Sequence, residues 1–180
     1  NNVFKEFLIR KGHAADGELE AAFASAAQVI EGTYYTSPQE QMYIEPQAMM
    51  AEWREGRCFI VGSMQCPYYV HKAMKSFLGC GPDDVVITQS VTGGGFGGKE
   101  EYPSMLAAHV ALLARKAGRA VKMVYDRAES FTGHVHRHPS RIWMEHRATR
   151  DGRLVCVHAR VLLDGGAYAS SSEAVLANAS

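Results

Sequence analysis

The sequence has no excess of charge of either sign. Lys plus Arg and Asp plus Glu number 19 each. Nothing in that balance argues for a nucleic-acid partner or an anionic membrane surface. It also has no apolar run approaching 18 residues, so no helical membrane span is expected. The start, Asn1-Asn2-Val3-Phe4-Lys5-Glu6, lacks the charged region and apolar core of a signal peptide. An initiator Met is missing too, and the chain ends inside Val175-Leu176-Ala177-Asn178-Ala179-Ser180. A piece of a longer polypeptide is the expectation. There is no C-x-x-C pair. Cys58, Cys66, Cys80 and Cys156 are scattered, so neither a zinc nor an iron–sulfur site can be read from them, and four reduced thiols in a cytoplasmic protein are expected. No repeat, low-complexity tract or linker divides the chain, so residues 1–180 are read as one region.

Glycine, in contrast, is concentrated. Five of the 17 glycines fall within Gly93-Gly94-Gly95-Phe96-Gly97-Gly98, followed by Lys99-Glu100. Glycine reaches backbone angles closed to other residues and lets a ligand approach the main chain. Val85-Val86-Ile87-Thr88 reads as a strand leading in, and Met105 to Lys116 as a helix leading out. A glycine loop so placed offers backbone N–H groups to an anion. Two nucleotide motifs partly match. Gly93-xxxx-Gly98-Lys99 resembles a P-loop, but Glu100 replaces the hydroxyl needed for magnesium and would repel phosphate. Gly93-x-Gly95-x-x-Gly98 fits the dinucleotide fingerprint. Its acidic partner, Asp126, lies 28 residues past Gly98, where roughly 20 is usual.

Taken in order, the chain opens with a connector ending in a turn at Arg10-Lys11-Gly12, and Asp16-Gly17 is a second turn signal. Leu19 to Ala27 is Ala-rich. Val29–Thr36, Ala48–Trp53 and Cys58–Val61 are β-prone and predict an antiparallel meander. Pro67 opens a helix whose Tyr69, Ala73, Met74 and Phe77 recur at core spacing, closed by Gly79. Gly118 stops the next helix, and Val121–Tyr125 is a strand. Asp126–Glu129 starts a turn or short helix. Arg141–Arg147 and Leu154–Leu163 read as a hairpin about Asp151-Gly152. The Ala/Ser-rich tail carries no legible signal. His134, His136 and His138 alternate, as three metal ligands on a strand face would, but no carboxylate is nearby in sequence and a polar loop explains them equally well. The fold class is α+β, with mixed or antiparallel sheets and packed helices.

The order of motifs then matters. Gln39-Glu40-Gln41-Met42-Tyr43-Ile44-Glu45-Pro46, Ser63-Met64-Gln65, Gly93–Glu100, Asp126-Arg127-x-Glu129 and Arg137-His138-Pro139 occur in sequence, ahead of the turn at Asp151-Gly152. Together they resemble the xanthine dehydrogenase/aldehyde oxidase family of molybdenum hydroxylases, nearest to xanthine dehydrogenase, with the loop similar at all eight positions. The resemblance implies part of a molybdopterin-binding domain. Such enzymes oxidise a carbon of an N-heterocycle or aldehyde with oxygen from water. Electrons leave through molybdopterin to 2Fe-2S clusters and FAD on other domains or subunits. It places Gln39 near the apical oxo ligand of molybdenum, and Phe96 near the metal and against a flat substrate. Gly95 and Gly97 give backbone approach to metal and pterin. The resemblance also implies that Glu100 hydrogen-bonds a purine or similar ring, where aldehyde-selective members commonly have an apolar residue. Glu45 and Gln65 support the loop, and Lys99 screens Glu100.

Each role has a plainer counterpart: Gln39 could satisfy strand-end backbone groups, and Glu100 could be a carboxylate favoured by the helix dipole. Gln41-Met42 replaces the His-Phe of the animal enzymes. The family's general base lies outside these residues, so no catalytic residue is assigned and the isolated piece is expected to be inactive. An oligomer is expected for the intact enzyme. Two rivals remain: a non-catalytic structural or subunit-interaction module, and a nucleotide-binding oxidoreductase domain using the glycine loop.

Overall fold

The structure, a computed structural model, describes residues 2–9 and 17–179. The turn expected at Arg10-Lys11-Gly12 and Asp16 of the second turn lie outside them. The chain divides into two compact units, Asn1–Gln39 with His138–Ser180, and Glu40–Arg137. Among the described residues no helix is long and apolar enough to cross a membrane.

The first unit is a three-stranded antiparallel sheet in the order β1-β6-β7, formed by β1 (Gln28–Thr36), β6 (Ser140–Ala148) and β7 (Leu154–Leu163), with helices α1 (Glu18–Ser25) and α5 (Ser172–Asn178). The hairpin at Asp151-Gly152 forms, and Gly152 has φ +86°. Helix α5 carries no strong periodicity and was not legible in the sequence.

The second unit holds a four-stranded sheet in the order β4-β3-β2-β5: β2 (Ala48–Arg54), β3 (Arg57–Gly62), β4 (Val85–Gln89) and β5 (Val121–Val124). Helices α2 (Pro67–Leu78) and α3 (Pro103–Ala117) cover it, and α4 (Arg127–Gly133) follows β5. Strands β2 and β3 contribute Met49, Ala51, Cys58 and Ile60 to the core at every second position, as strand geometry requires. Helix α3 contributes Leu106, Ala107, Val110, Ala111 and Ala114 at helical spacing. The expected meander is only half right. Strands β2 and β3 are antiparallel, but β1 pairs with β6 in the other sheet and β4 runs parallel to β3 through the α2 crossover. A β-prone run does not name its partner. On α2 the buried residues are Val70 and Met74, whereas Tyr69 and Phe77 are each 52% exposed.

Register brings four connections to one end of this sheet. Met49 pairs with Gly62, Ala48 with Val124, and Gly62 with Gln89. The start of β2 therefore lies beside the ends of β3, β4 and β5. Residues 40–47, 63–65, 90–102 and 125–134 all emerge there. In sheets with parallel crossovers ligand sites form beyond the strand ends.

Candidate functional site

The glycine loop is an arch braced at both feet. At its first foot Glu45 Oε2 accepts hydrogen bonds from Ser63 Oγ (2.6 Å), the Gly93 N–H (2.7 Å) and Lys99 Nζ (2.8 Å). The Glu45 N–H donates back to Gly93 O at 3.3 Å. Lys99 is 0% exposed, donates also to Ser63 Oγ at 2.8 Å, and stands 4.6 Å from the centroid of the Tyr43 ring. Burial works to raise the pKa of Glu45, but the hydrogen bonds from Lys99, Ser63 and Gly93 outweigh it and hold the carboxyl below its ordinary value. Lys99 thus points into the protein and pairs with Glu45, rather than screening Glu100.

At the second foot Gln65 Oε1 accepts from the Gly97 N–H (3.0 Å) and the Lys99 N–H (3.2 Å), while the Gln65 N–H donates to Lys99 O at 2.6 Å. Gln47 Nε2 donates to Gly98 O at 2.8 Å and to the Tyr43 hydroxyl at 2.9 Å. Close packing explains two of the glycines. A Cβ on Gly95 would lie 2.3 Å from Gln65 Oε1, and one on Gly93 2.6 Å from Glu45 Cβ.

Between the feet the arch is only partly exposed: Gly95 is buried, Gly94 is half-buried, and Phe96 and Gly97 are exposed. The N–H groups of Gly94, Gly95 and Phe96 make no hydrogen bond among the described residues. Phe96 has φ +50°, unusual for a side-chain-bearing residue, and its ring is 74% exposed. Gly97 is exposed, with φ +91° and open space where a Cβ would be. Glu100 is half-buried and makes no hydrogen bond or ion pair among the described residues. Burial raises the pKa of the Cys66 thiol, and the charge of Glu100 adds to the rise. Gln39 is exposed and is the last residue of its segment of the first unit.

A second network, not foreseen from the sequence, braces residues 40–44. Buried Glu40 accepts from the Met42 N–H, and its Oε1 lies 3.0 Å from His134 Nε2. Burial opposes ionisation of Glu40, but the bonds from His134 and Met42 lower its pKa overall. His134 stacks on Tyr43 and on His136 at 5.6 and 5.3 Å. Arg127 Nη2 donates to Tyr43 O (2.7 Å) and Ile44 O (3.0 Å). The histidines are therefore not a ligand set: His134 pairs with a carboxylate 94 positions away, and His138 Nε2 bonds Ser172 Oγ at 2.6 Å in the other unit. Among the described residues no group of three His, Cys, Asp or Glu side chains is placed to hold a metal ion.

N–H donors of this kind suit a group rich in nitrogen and oxygen acceptors. Gly94, Gly95 and Phe96 carry three consecutive N–H groups with no partner among the described residues, Gly95 itself being buried, and only Phe96 among the three carries a side chain. A pterin and the oxo groups of its metal supply matching acceptors, so the residues present fit that cofactor.

The chain belongs to the molybdopterin cofactor-binding domain family, whose profile matches residues 2–180. It is 39% identical over 168 residues to the nicotinate dehydrogenase large molybdopterin subunit of Eubacterium barkeri, covering 93% of this chain and 39% of that protein. It is 32% identical over 174 residues to the xanthine dehydrogenase of Emericella nidulans, covering 96% of this chain and 13% of that one. The aldehyde oxidoreductase of Desulfovibrio gigas matches with a TM-score of 0.78 at 27% identity, over 90% of this chain and 17% of that chain. The chain thus spans only 13–39% of the length of these curated relatives.

Proposed function

We propose that this chain forms part of a molybdenum hydroxylase that oxidises a purine or similar polar N-heterocycle with oxygen from water. Molybdopterin, when bound, supplies the two-electron oxidation and passes electrons towards 2Fe-2S and flavin centres on other domains or subunits. Gly95, Phe96 and Gly97 offer backbone contacts to the metal and pterin, and Gln39 offers a neutral carboxamide to an oxo ligand. Phe96 faces the flat substrate, and Glu100 accepts a hydrogen bond from a ring N–H or hydroxyl. The general base belongs to a part of the protein outside these residues.

One observation carries the substrate reading. Lys99 is spent on Glu45 inside the fold, which leaves the adjacent Glu100 half-exposed and unpaired among the described residues, four positions after the exposed Phe96. A carboxylate so placed favours a substrate that donates a hydrogen bond, which an aldehyde lacks. The names of the relatives include two N-heterocycle dehydrogenases.

Two measurements on the intact protein test this. Metal analysis should find molybdenum, and its absence from active protein would overturn the proposal. Glu100→Val should lower kcat/KM for hypoxanthine by roughly 10- to 100-fold, the loss of a charge-assisted hydrogen bond of about 1.5–3 kcal/mol. The fall for an aldehyde should be much smaller. Equal losses for both would remove Glu100 from substrate recognition.

A further inference from the structure

Two residues of the second unit that carry large apolar side chains adopt a left-handed backbone and expose those side chains: Phe96 at φ +50° and Met42 at φ +56°, the latter 59% exposed. Such a conformation costs about 1–3 kcal/mol and persists where surrounding structure imposes it. Around Met42 that structure is present. Its N–H is held by buried Glu40, which is held in turn by His134. The next residue, Tyr43, is 0% exposed and stacked on His134, with its carbonyl tied by Arg127. A buried carboxylate–imidazole pair, an aromatic stack and a guanidinium thus fix the backbone on both sides of an exposed thioether. Packing alone does not require this, because Met42 itself is not in the core.

The position of the segment gives the arrangement a use. The Cβ position of Gly94 lies 3.0 Å from Tyr43 Cβ and 3.3 Å from the Phe96 ring, and that of Gly98 lies 2.8 Å from the Tyr43 ring. Residues 41–43 therefore run along the arch, and Met42 adjoins a residue that shares Gly94 with the Phe96 ring. We propose that Met42 is a specificity residue, forming with Phe96 an apolar wall for a flat heteroaromatic ligand, and that the Glu40–His134 pair positions it. A thioether suits this task because it is polarisable and makes favourable contacts with aromatic rings. This rests on the proposed substrate site at the glycine arch.

Met42→Gly in the intact protein gives a clean test. Glycine accepts φ +56° without strain, so the variant loses the side chain while the fold is kept. The thermal midpoint should hold or rise. KM for nicotinate and hypoxanthine should increase about tenfold with kcat changing less than about threefold, and Met42→Leu should restore most of the loss. Dissociation constants for the same two compounds, measured by calorimetry without turnover, should weaken in parallel. Unchanged KM and unchanged affinity in Met42→Gly overturn the inference while leaving the hydroxylase reading intact. Weakened binding in a protein that shows no hydroxylation sustains the inference and sinks that reading. A protein that binds neither compound overturns both.

Discussion

At the scale of single residues, Lys99 and Glu100 differ in their partners, and that difference was invisible in the sequence. Two adjacent charges of opposite sign read as a mutual pair. The structure instead commits Lys99 to Glu45, 54 positions away, and leaves Glu100 without an ion pair among the described residues. Removing one partner of a buried pair costs about 3–5 kcal/mol. Because the Glu45 side chain is 37% exposed, Lys99→Met should fall near the lower figure. Its expected signature is a lowered thermal midpoint, faster amide exchange at Gly97 and Gly98, and a reduced molybdenum content of the intact protein. Unaltered exchange in the loop would show that the pair does not hold the arch. Titration offers a second check. Glu45 and Glu40 both have folded pKa values below the ordinary 4.5, so the unfolded chain binds protons more readily than the folded one. Their stabilising contribution is complete above about pH 4.5 and is lost as the pH falls through the depressed values. The thermal midpoint should drop as the pH falls below about 4.5. In Glu45→Gln the drop should be shallower from a lower plateau, and a parallel curve would count against Glu45 as the titrating group.

At the scale of elements, local signals were reliable and pairings were not. Pro67, Gly79 and Gly118 marked helix limits correctly because caps depend on a few adjacent residues. The strand run Leu154–Leu163 matches β7. The assignment of β1 to a meander failed because its partner, β6, lies about a hundred positions away, and β-propensity carries no information about partners. The pairing of Glu40 with His134 escaped notice for the same reason. A carboxylate within the Gln39–Pro46 segment was legible, whereas its burial and its imidazole partner were not. The short helix α4 links these levels, since His134 follows its last residue. Asp126 accepts from the Glu129 N–H at 2.8 Å, and the Asp126 N–H donates to Glu129 Oε2 at 2.8 Å, a reciprocal cap. Loss of such a cap costs about 1 kcal/mol. Asp126→Ala should therefore accelerate amide exchange in α4 about fivefold and leave α3 unaffected. Equal protection in both helices would deny the cap its role.

At the scale of the whole molecule, the two units differ in what holds them together. All the buried apolar residues named in the core, from Tyr43 to Ala114, lie within Glu40–Arg137. In the other unit no apolar residue is buried among the described ones, and its sheet leaves Val29, Ile30, Tyr34 and Tyr35 exposed. Full burial of a Val, Leu or Met side chain contributes about 1.5–3 kcal/mol, so intrinsic stability is concentrated in the unit that carries the arch. That unit is also one continuous segment, whereas its neighbour needs β6 and β7 to find β1 across it. Its four site connections are all local to its own sheet, and both braces, Glu45–Lys99 and Gln65, close within it. A polypeptide of residues 40–137 should consequently fold alone, with a cooperative thermal transition and dispersed amide resonances. Slow exchange should persist at β2, β3 and α3. Residues 1–39 joined to 138–180 by a short linker should show no such transition. If the continuous segment melted without cooperativity, stability would have to come from its neighbour, and the arch could not be treated as a self-supported binding element.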